Sequence, residues 1–362
     1  MKSRSMLIAF LLAFVISAAA QRPNITNAKV QESSAAAGLK PAVDALLAYQ
    51  TGPLWIGYRI PAVPKEGTMC CWNSVDRLPG GNNCCLGCKM NSDSSGTFTG
   101  TDFTCSPPEP VPYAFVFLRA EAGKIAQIRV FSADCPLDFG GLPLYWLELV
   151  KPGESVALLA ALAQTGREDG NYERGLSHQA VMAISFHNIP AADQSLEKLI
   201  LPNQPLSLRG NVAFWLGVER GKAGLDILRK YAKEDQDERF REKAAFAISQ
   251  SKEPGAISDL IAMARTDPSP RVRGQAIFWL AQIGGRKEAA QITAAIEDDP
   301  ATEVKKKAVF ALAQMHDGEG VPLLIKVAKE NPNPAVRKQA FFWLGQSHDP
   351  RALDFLEEIL AK

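Results

Sequence analysis

Every thirty-second residue from Phe214 onward is phenylalanine: Phe214, Phe246, Phe278, Phe310 and Phe342, with Met182 one period earlier. No insertion breaks the register, so whatever one unit folds into its neighbour must fold into too, and the copies must stack. The same frame carries Leu208, Phe240, Val272, Val304 and Val336, then Val212, Ala244, Ala276, Ala308 and Ala340, then Leu216, Ile248, Leu280, Leu312 and Leu344. These columns fall at i, i+4 and i+8, one buried stripe of a helix. A second helix per unit is set by Leu196, Leu228, Leu260, Ile292, Leu324 and Leu356. Each unit is therefore a helical hairpin.

Between units stand Asp267-Pro268-Ser269-Pro270, Asp299-Pro300 and Asn331-Pro332-Asn333-Pro334. Proline cannot continue the preceding helix, and Asp or Asn can cap the next. Segments such as Val272-Arg273-Gly274-Gln275-Ala276-Ile277-Phe278-Trp279-Leu280 and Val336-Arg337-Lys338-Gln339-Ala340-Phe341-Phe342-Trp343-Leu344 resemble the HEAT-repeat family, in its short, phycobilin-lyase-like form, over about residues 175 to 362. The resemblance implies a right-handed superhelix of stacked helix pairs, commonly used for protein binding. The expected fold is an α-solenoid of about six units over residues 151–362, preceded by a small Cys-rich, mainly-β domain, so α+β and multidomain overall.

The chain begins differently. Lys2 and Arg4, an apolar run from Met6 to Ile16 and the small residues Ser17-Ala18-Ala19-Ala20 read as a signal peptide over residues 1–20, cleaved after Ala20. The run is short of the ~20 apolar residues of a spanning helix, so no membrane span is expected after cleavage, and the product is expected to be secreted or periplasmic. Residues 21–40 are polar and aperiodic and read as a flexible leader. Residues 41–150 hold a short helix from Pro41 to about Tyr49, a strand from Leu54 to Ile60, a hairpin of Tyr113–Arg119 with Lys124–Phe131, and a further strand within Leu142–Val150. All seven cysteines, Cys70, Cys71, Cys84, Cys85, Cys88, Cys105 and Cys135, lie in this domain. In an oxidising compartment they read as structural disulfides of unassigned connectivity, with one left over or used between chains; the alternatives are a redox centre at Cys85-Leu86-Gly87-Cys88 and a soft-metal site of Cys84, Cys85 and Cys88 with Cys70 and Cys71.

A basic column, Arg209, Arg241, Arg273, Lys305 and Arg337, invites a phosphate-binding reading. From residue 201 onward, however, 24 basic residues face 22 acidic ones, and the whole chain carries a formal charge of +1, so no field remains to hold a nucleic acid. Asp235, Asp267, Asp299 and Asn331 recur six residues before the last four of these, and the resemblance implies a ladder of Asp and Arg tying neighbouring repeats. The Phe column lies about 240° round the helix from the Leu/Val column. It either packs between repeats or forms a partly exposed aromatic row for a partner. Packing is preferred, because Trp215, Trp279 and Trp343 alternate with Ala247 and Ala311 as large residues meeting small ones. Some HEAT relatives are iron-dependent hydroxylases with repeated His-Glu pairs and others handle bilins; none of His178, His187, His316 and His348 is followed by Glu. No metal, cofactor or catalytic constellation is expected. The function expected is an exported protein-binding scaffold, not an enzyme, working on the concave face of the solenoid through its second helices or in the crevice between domains. The alternative is a thiol-redox or metal-handling protein acting through the cysteine cluster. Carbohydrate recognition through Trp55, Tyr58 and Trp72 ranks last.

Overall fold

A computed structural model describes residues 22–49, 52–63, 69–71, 88–91, 97–99, 111–133, 135–165, 175–284, 289–315 and 318–361. The signal-peptide segment, Trp72, Cys84, Cys85, Cys105 and His316 lie outside these residues.

Alternation along the strands shapes the N-terminal part. Its strands are β1 (Ile25–Thr26), β2 (Lys29–Ser34), β3 (Leu54–Pro61), β4 (Met69–Cys71), β5 (Cys88–Lys89), β6 (Thr97–Thr99), β7 (Tyr113–Glu121), β8 (Lys124–Phe131), β9 (Leu137–Asp138) and β10 (Pro143–Glu148). The main sheet has the order β2-β10-β3-β7-β8, parallel at its β2-β10-β3 side and antiparallel from β3 to β8. In β7, Ala114, Val116 and Leu118 point to one face while Phe115 and Phe117 point to the other, and both sets are buried. Period-two side chains buried on both sides need two covering layers. One layer is helical. The other is built from β1, β9 and β5, with Trp55, Phe117, Phe131, Phe139 and Trp146 packed between. Gly57 sits opposite Phe117 in the ladder, and a Cβ there would meet the Phe117 ring at 2.7 Å, so the aromatic layer requires this glycine.

The flexible leader expected over residues 21–40 is not what the structure contains. β1 and β2 occupy it, and β2 pairs with β10 over six residues. As an edge strand β2 is held by its main chain and keeps most of its side chains in solvent, so no hydrophobic alternation marks it. Arg22 adds an ion pair to Glu32.

The helices are α1 (Leu39–Tyr49), α2 (Pro152–Thr165), α3 (Leu176–Ser185), α4 (Pro190–Leu199), α5 (Leu206–Glu219), α6 (Gly221–Glu234), α7 (Glu238–Ser249), α8 (Ala256–Thr266), α9 (Pro270–Gly284), α10 (Ala289–Asp298), α11 (Thr302–Ala313), α12 (Val321–Glu330), α13 (Pro334–Gln346) and α14 (Pro350–Leu360). From α3 onward they form six hairpins. Asp237, Asn333 and Asp349 cap α7, α13 and α14 by accepting the N–H two residues on.

The sheet and the solenoid share one core, which runs from Leu54, Tyr58 and Val116 through Val156 and Ile184 into the repeats. Three fully or nearly fully buried polar side chains lock this junction: Tyr58 Oη lies 3.0 Å from Ser155 Oγ, which lies 2.9 Å from His187 Nε2. His187 Nδ1–H donates to Ala183 O at 2.8 Å, leaving Nε2 as acceptor. Burial drives the His187 pKa down to about 4, with the Arg220 charge helping, and pushes the Tyr58 hydroxyl well above its ordinary value. The Ile128 N–H bond to Gln179 and the Asn188 N–H bond to Pro61 complete the seam. The expected crevice between the two parts is thus filled with packed side chains at this seam.

Candidate functional site: the first-helix face

Neighbouring first helices, α5, α7, α9, α11 and α13, lie against one another along their length, whereas the second helices α6, α8, α10 and α12 barely meet their counterparts. The stack therefore bends with the first helices inside. The expectation placed function on the second helices; the side chains place the unsatisfied chemistry on the first.

A row of stacked rings runs along this inner face. Phe214 stacks on Phe246 (centroids 6.0 Å apart, planes 16°) and Phe278 on Phe310 (5.8 Å, 4°). Trp279 joins the two pairs at 4.8 Å from Phe246, and Trp343 extends the second at 4.9 Å from Phe310. Each of Trp215, Trp279 and Trp343 also meets the Phe before it edge-on. Phe214, Phe246, Phe278 and Phe310 are half-buried and Phe342 is 53% exposed. The rings are packed against each other and still open along one edge. Their arrangement repeats every two units: Gly210 and Gly274 leave room for the stems of Lys243 and Lys307, whose Cδ atoms lie 2.5 Å from where a Cβ would stand.

Sequence reasoning missed a second column on the same face. Gln250, Gln282, Gln314 and Gln346 each follow a ladder Phe by four residues, one turn further along the same side of the helix. The signal was available in the 32-residue register, but glutamine carries no hydrophobic period to draw attention. A cavity of about 390 Å³ opens beside the last two, lined among others by Leu312, Gln314, Met315, Trp343, Gln346 and His348.

The outer face carries ion pairs between neighbouring repeats. Lys230 reaches Glu197, Arg229 reaches Asp259, Lys326 reaches Glu297 and Lys329 reaches Glu358, each pair joining one second helix to the next.

Between the faces runs the column of arginines. Arg209 pairs with Asp235, Arg241 with Asp267 at 2.8 Å and Arg273 with Asp299 at 2.7 Å, each Arg reaching the carboxylate at the entrance of the following repeat. The carboxylates also accept N–H groups of Asp237, Ser269 and Ala301, so one side chain joins two repeats and shapes the turn. Burial alone would raise the Asp299 pKa; the Arg273 bond, the Ala301 N–H and nearby positive charge hold it below the ordinary value. Bonds to Asp267 and Asp299 raise the Arg241 and Arg273 pKa values despite burial. The column changes character at its end. Lys305 donates to Glu297 O, and Arg337 donates to the carbonyls of Asn331 and Pro332. Asn331 keeps the turn bond, to Asn333 N–H. These positions tie their own turn rather than bridge repeats.

In the N-terminal part, Cys88 and Cys135 are buried and both disulfide-bonded, and Cys70 and Cys71 stand on β4. Trp55 and Tyr58 are fully buried, which removes two of the three aromatics considered for carbohydrate. No cluster of three or more metal-ligating side chains occurs among the described residues, and none of the described helices is long and apolar enough to cross a membrane. His348 is exposed at the turn before α14.

Stacked helical hairpins, joined by an Arg–Asp column and curving around their first helices, define an α-solenoid. The family model for HEAT repeats matches residues 194–281 and 289–362, so that span consists of HEAT repeats. Among solved structures the chain is similar to human deoxyhypusine hydroxylase in complex with glycerol (16% identity, covering 57% of this chain and 89% of that one, TM-score 0.29). It is also similar to Escherichia coli YibA (26% identity, 46% of this chain and 64% of that one, TM-score 0.34). A third is the CpcE–CpcF complex of phycocyanin lyase from Nostoc (23% identity, 52% and 76%, TM-score 0.30). These likenesses are too loose to carry a function across. No curated protein matches the chain.

Proposed function

We propose that this protein is an exported, non-catalytic scaffold that captures a protein partner on the first-helix face, with Phe214, Phe246, Phe278, Phe310 and Phe342 at the centre of the contact. The observation that carries the reading is the row of stacked rings on the first helices, left open along one edge. Aromatic groups that are rigidly held and half-exposed supply contact area at little ordering cost. Export is read from the leader sequence, and six of the seven cysteines act as structural cross-links of the N-terminal layer, with one left over or used between chains.

The test uses the full mature chain as bait against the secreted or envelope fraction of its own cells. A Phe278→Ala/Phe310→Ala variant and an Arg229→Ala/Lys230→Ala variant of the outer face are compared with the parent, each checked for unchanged helical circular dichroism. Capture that survives on the outer-face variant and is lost on the Phe variant supports the proposal. Capture that is indifferent to the Phe pair, or sensitive only to the outer face, refutes it.

A further inference from the structure

The face that carries the phenylalanines also carries an unbalanced charge. Lys243, Lys307 and Lys338 project from α7, α11 and α13 beside the rings, and none has a carboxylate within ion-pair distance among the described residues. The acidic residues on the same helices are already engaged: Arg271 holds Glu242, Lys306 holds Glu303, and Ser269 donates to Glu238. The amides of Gln282, Gln314 and Gln346 bond to no other described group and stand in a column parallel to the rings. One face thus offers, repeat after repeat, an apolar edge, an amide with both donor and acceptor, and at three positions an unmatched ammonium.

We propose that this face takes an extended, acidic polypeptide segment lying across the first helices, its backbone held by the glutamine column, its apolar side chains on the phenylalanine edges and its carboxylates on Lys243, Lys307 and Lys338. This rests on the protein-binding reading above and adds the chemistry of the partner. Spacing supports it. Packed helices lie ~8–10 Å apart, and an extended polyproline-type chain has three residues per turn at ~3.1 Å each, about 9 Å. Such a chain presents one apolar residue per repeat on the same side. Amides match a peptide backbone because each supplies both a donor and an acceptor. The cavity beside Gln314 and Gln346 is large enough for a bulky side chain at one end of the segment. A single-stranded nucleic acid would use the same lysines, but its bases need free ring faces for stacking, and Phe214, Phe246, Phe278 and Phe310 each already give a face to a neighbouring Phe.

The test is fluorescence anisotropy with the full mature chain and four labelled probes. Three are peptides of about fifteen residues built from Glu-Pro-Leu, Ser-Pro-Leu or Lys-Pro-Leu units, proline holding them extended; the fourth is an oligodeoxythymidylate of the same length. The expected order is acidic peptide first, roughly tenfold above the neutral one at low salt and closer to it at high salt. A Lys243→Glu/Lys307→Glu/Lys338→Glu variant loses that preference and gains the Lys-Pro-Leu peptide. A Gln282→Ala/Gln314→Ala/Gln346→Ala variant weakens the acidic and neutral peptides together. Equal binding of acidic and neutral peptides, no peptide binding, tighter binding of the oligonucleotide, or charge reversal without effect each overturns the inference. If peptides fail while Phe-dependent capture of a natural partner stands, only the extended acidic segment is wrong; if that capture fails too, the scaffold reading falls with it.

Discussion

Acid should loosen the seam between sheet and solenoid before it touches the repeats, and His187 sets the window. Its imidazole is buried between α2, α3 and the sheet, with Nε2 accepting from Ser155 and the Arg220 guanidinium bonded to its own carbonyl. A proton added to Nε2 would remove that acceptor and place a second charge near Arg220. The folded pKa of about 4 lies below the ordinary 6.5, so the unfolded chain takes up the proton first. Stability from this residue is therefore full above pH 6.5, falls as pH drops from 6.5 towards 4, and is flat below. At ~1.4 kcal/mol per pH unit that interval caps the loss at about 3 kcal/mol, of which about 2.5 kcal/mol is reached by about pH 4.5. Urea unfolding at about pH 7.5 and about pH 4.5, for the parent and for His187→Gln, isolates the effect, since carboxylates elsewhere titrate alike in both. The parent should lose about 2.5 kcal/mol more than the variant over this range. Parallel pH profiles would refute the assignment of a neutral, buried imidazole at the seam.

Arg241→Ala should destabilise by about 3–5 kcal/mol, because it strands the buried Asp267 carboxylate, while Lys305→Ala, which loses only a bond to a carbonyl, should cost under ~1 kcal/mol; chemical unfolding of the two variants checks the contrast. Gly57→Ala should cost about 1–3 kcal/mol by driving a methyl group into the Phe117 ring, measured by thermal unfolding with near-ultraviolet circular dichroism reporting the aromatic layer. Alkylation of the denatured, unreduced chain should leave Cys88 and Cys135 unmodified, and peptide mapping by mass spectrometry would show either thiol if it were free.

How much of this was legible in the sequence depended on what kind of signal each part left. The repeat frame is written in residues that pack the same way in every unit, so Leu216, Ile248, Leu280, Leu312 and Leu344 all fall in the core. β3, β7 and β10 were likewise visible, because strands covered on both faces are runs of large apolar residues, and β8 was visible through Ile125, Ile128, Val130 and Phe131 across the turn from β7. β2 was not, because an edge strand contributes backbone bonds, which leave no trace in side-chain type. The Phe column was legible, but whether its rings were buried or open was not, since that turns on helix curvature and on how Trp279 and Trp343 bridge the pairs. Which charges pair with one another stayed hidden for a related reason: charges on the outer helices and lysines on the inner ones look alike in composition. Only distances separate pairs such as Arg229–Asp259 from Lys243, Lys307 and Lys338. The Tyr58–Ser155–His187 chain joins residues far apart in sequence, and no local spacing announces it.

The central claim is that partners are taken on the first-helix face, and site-specific photo-crosslinking tests it most directly. A benzoylphenylalanine placed at Phe278 and, separately, at the exposed Ala262 of α8 is irradiated with the export-compartment fraction, and adducts are read by gel shift and mass spectrometry. A discrete protein adduct from position 278 with none from 262 is the predicted result. Adducts from 262 alone, or equal labelling from both, would contradict it.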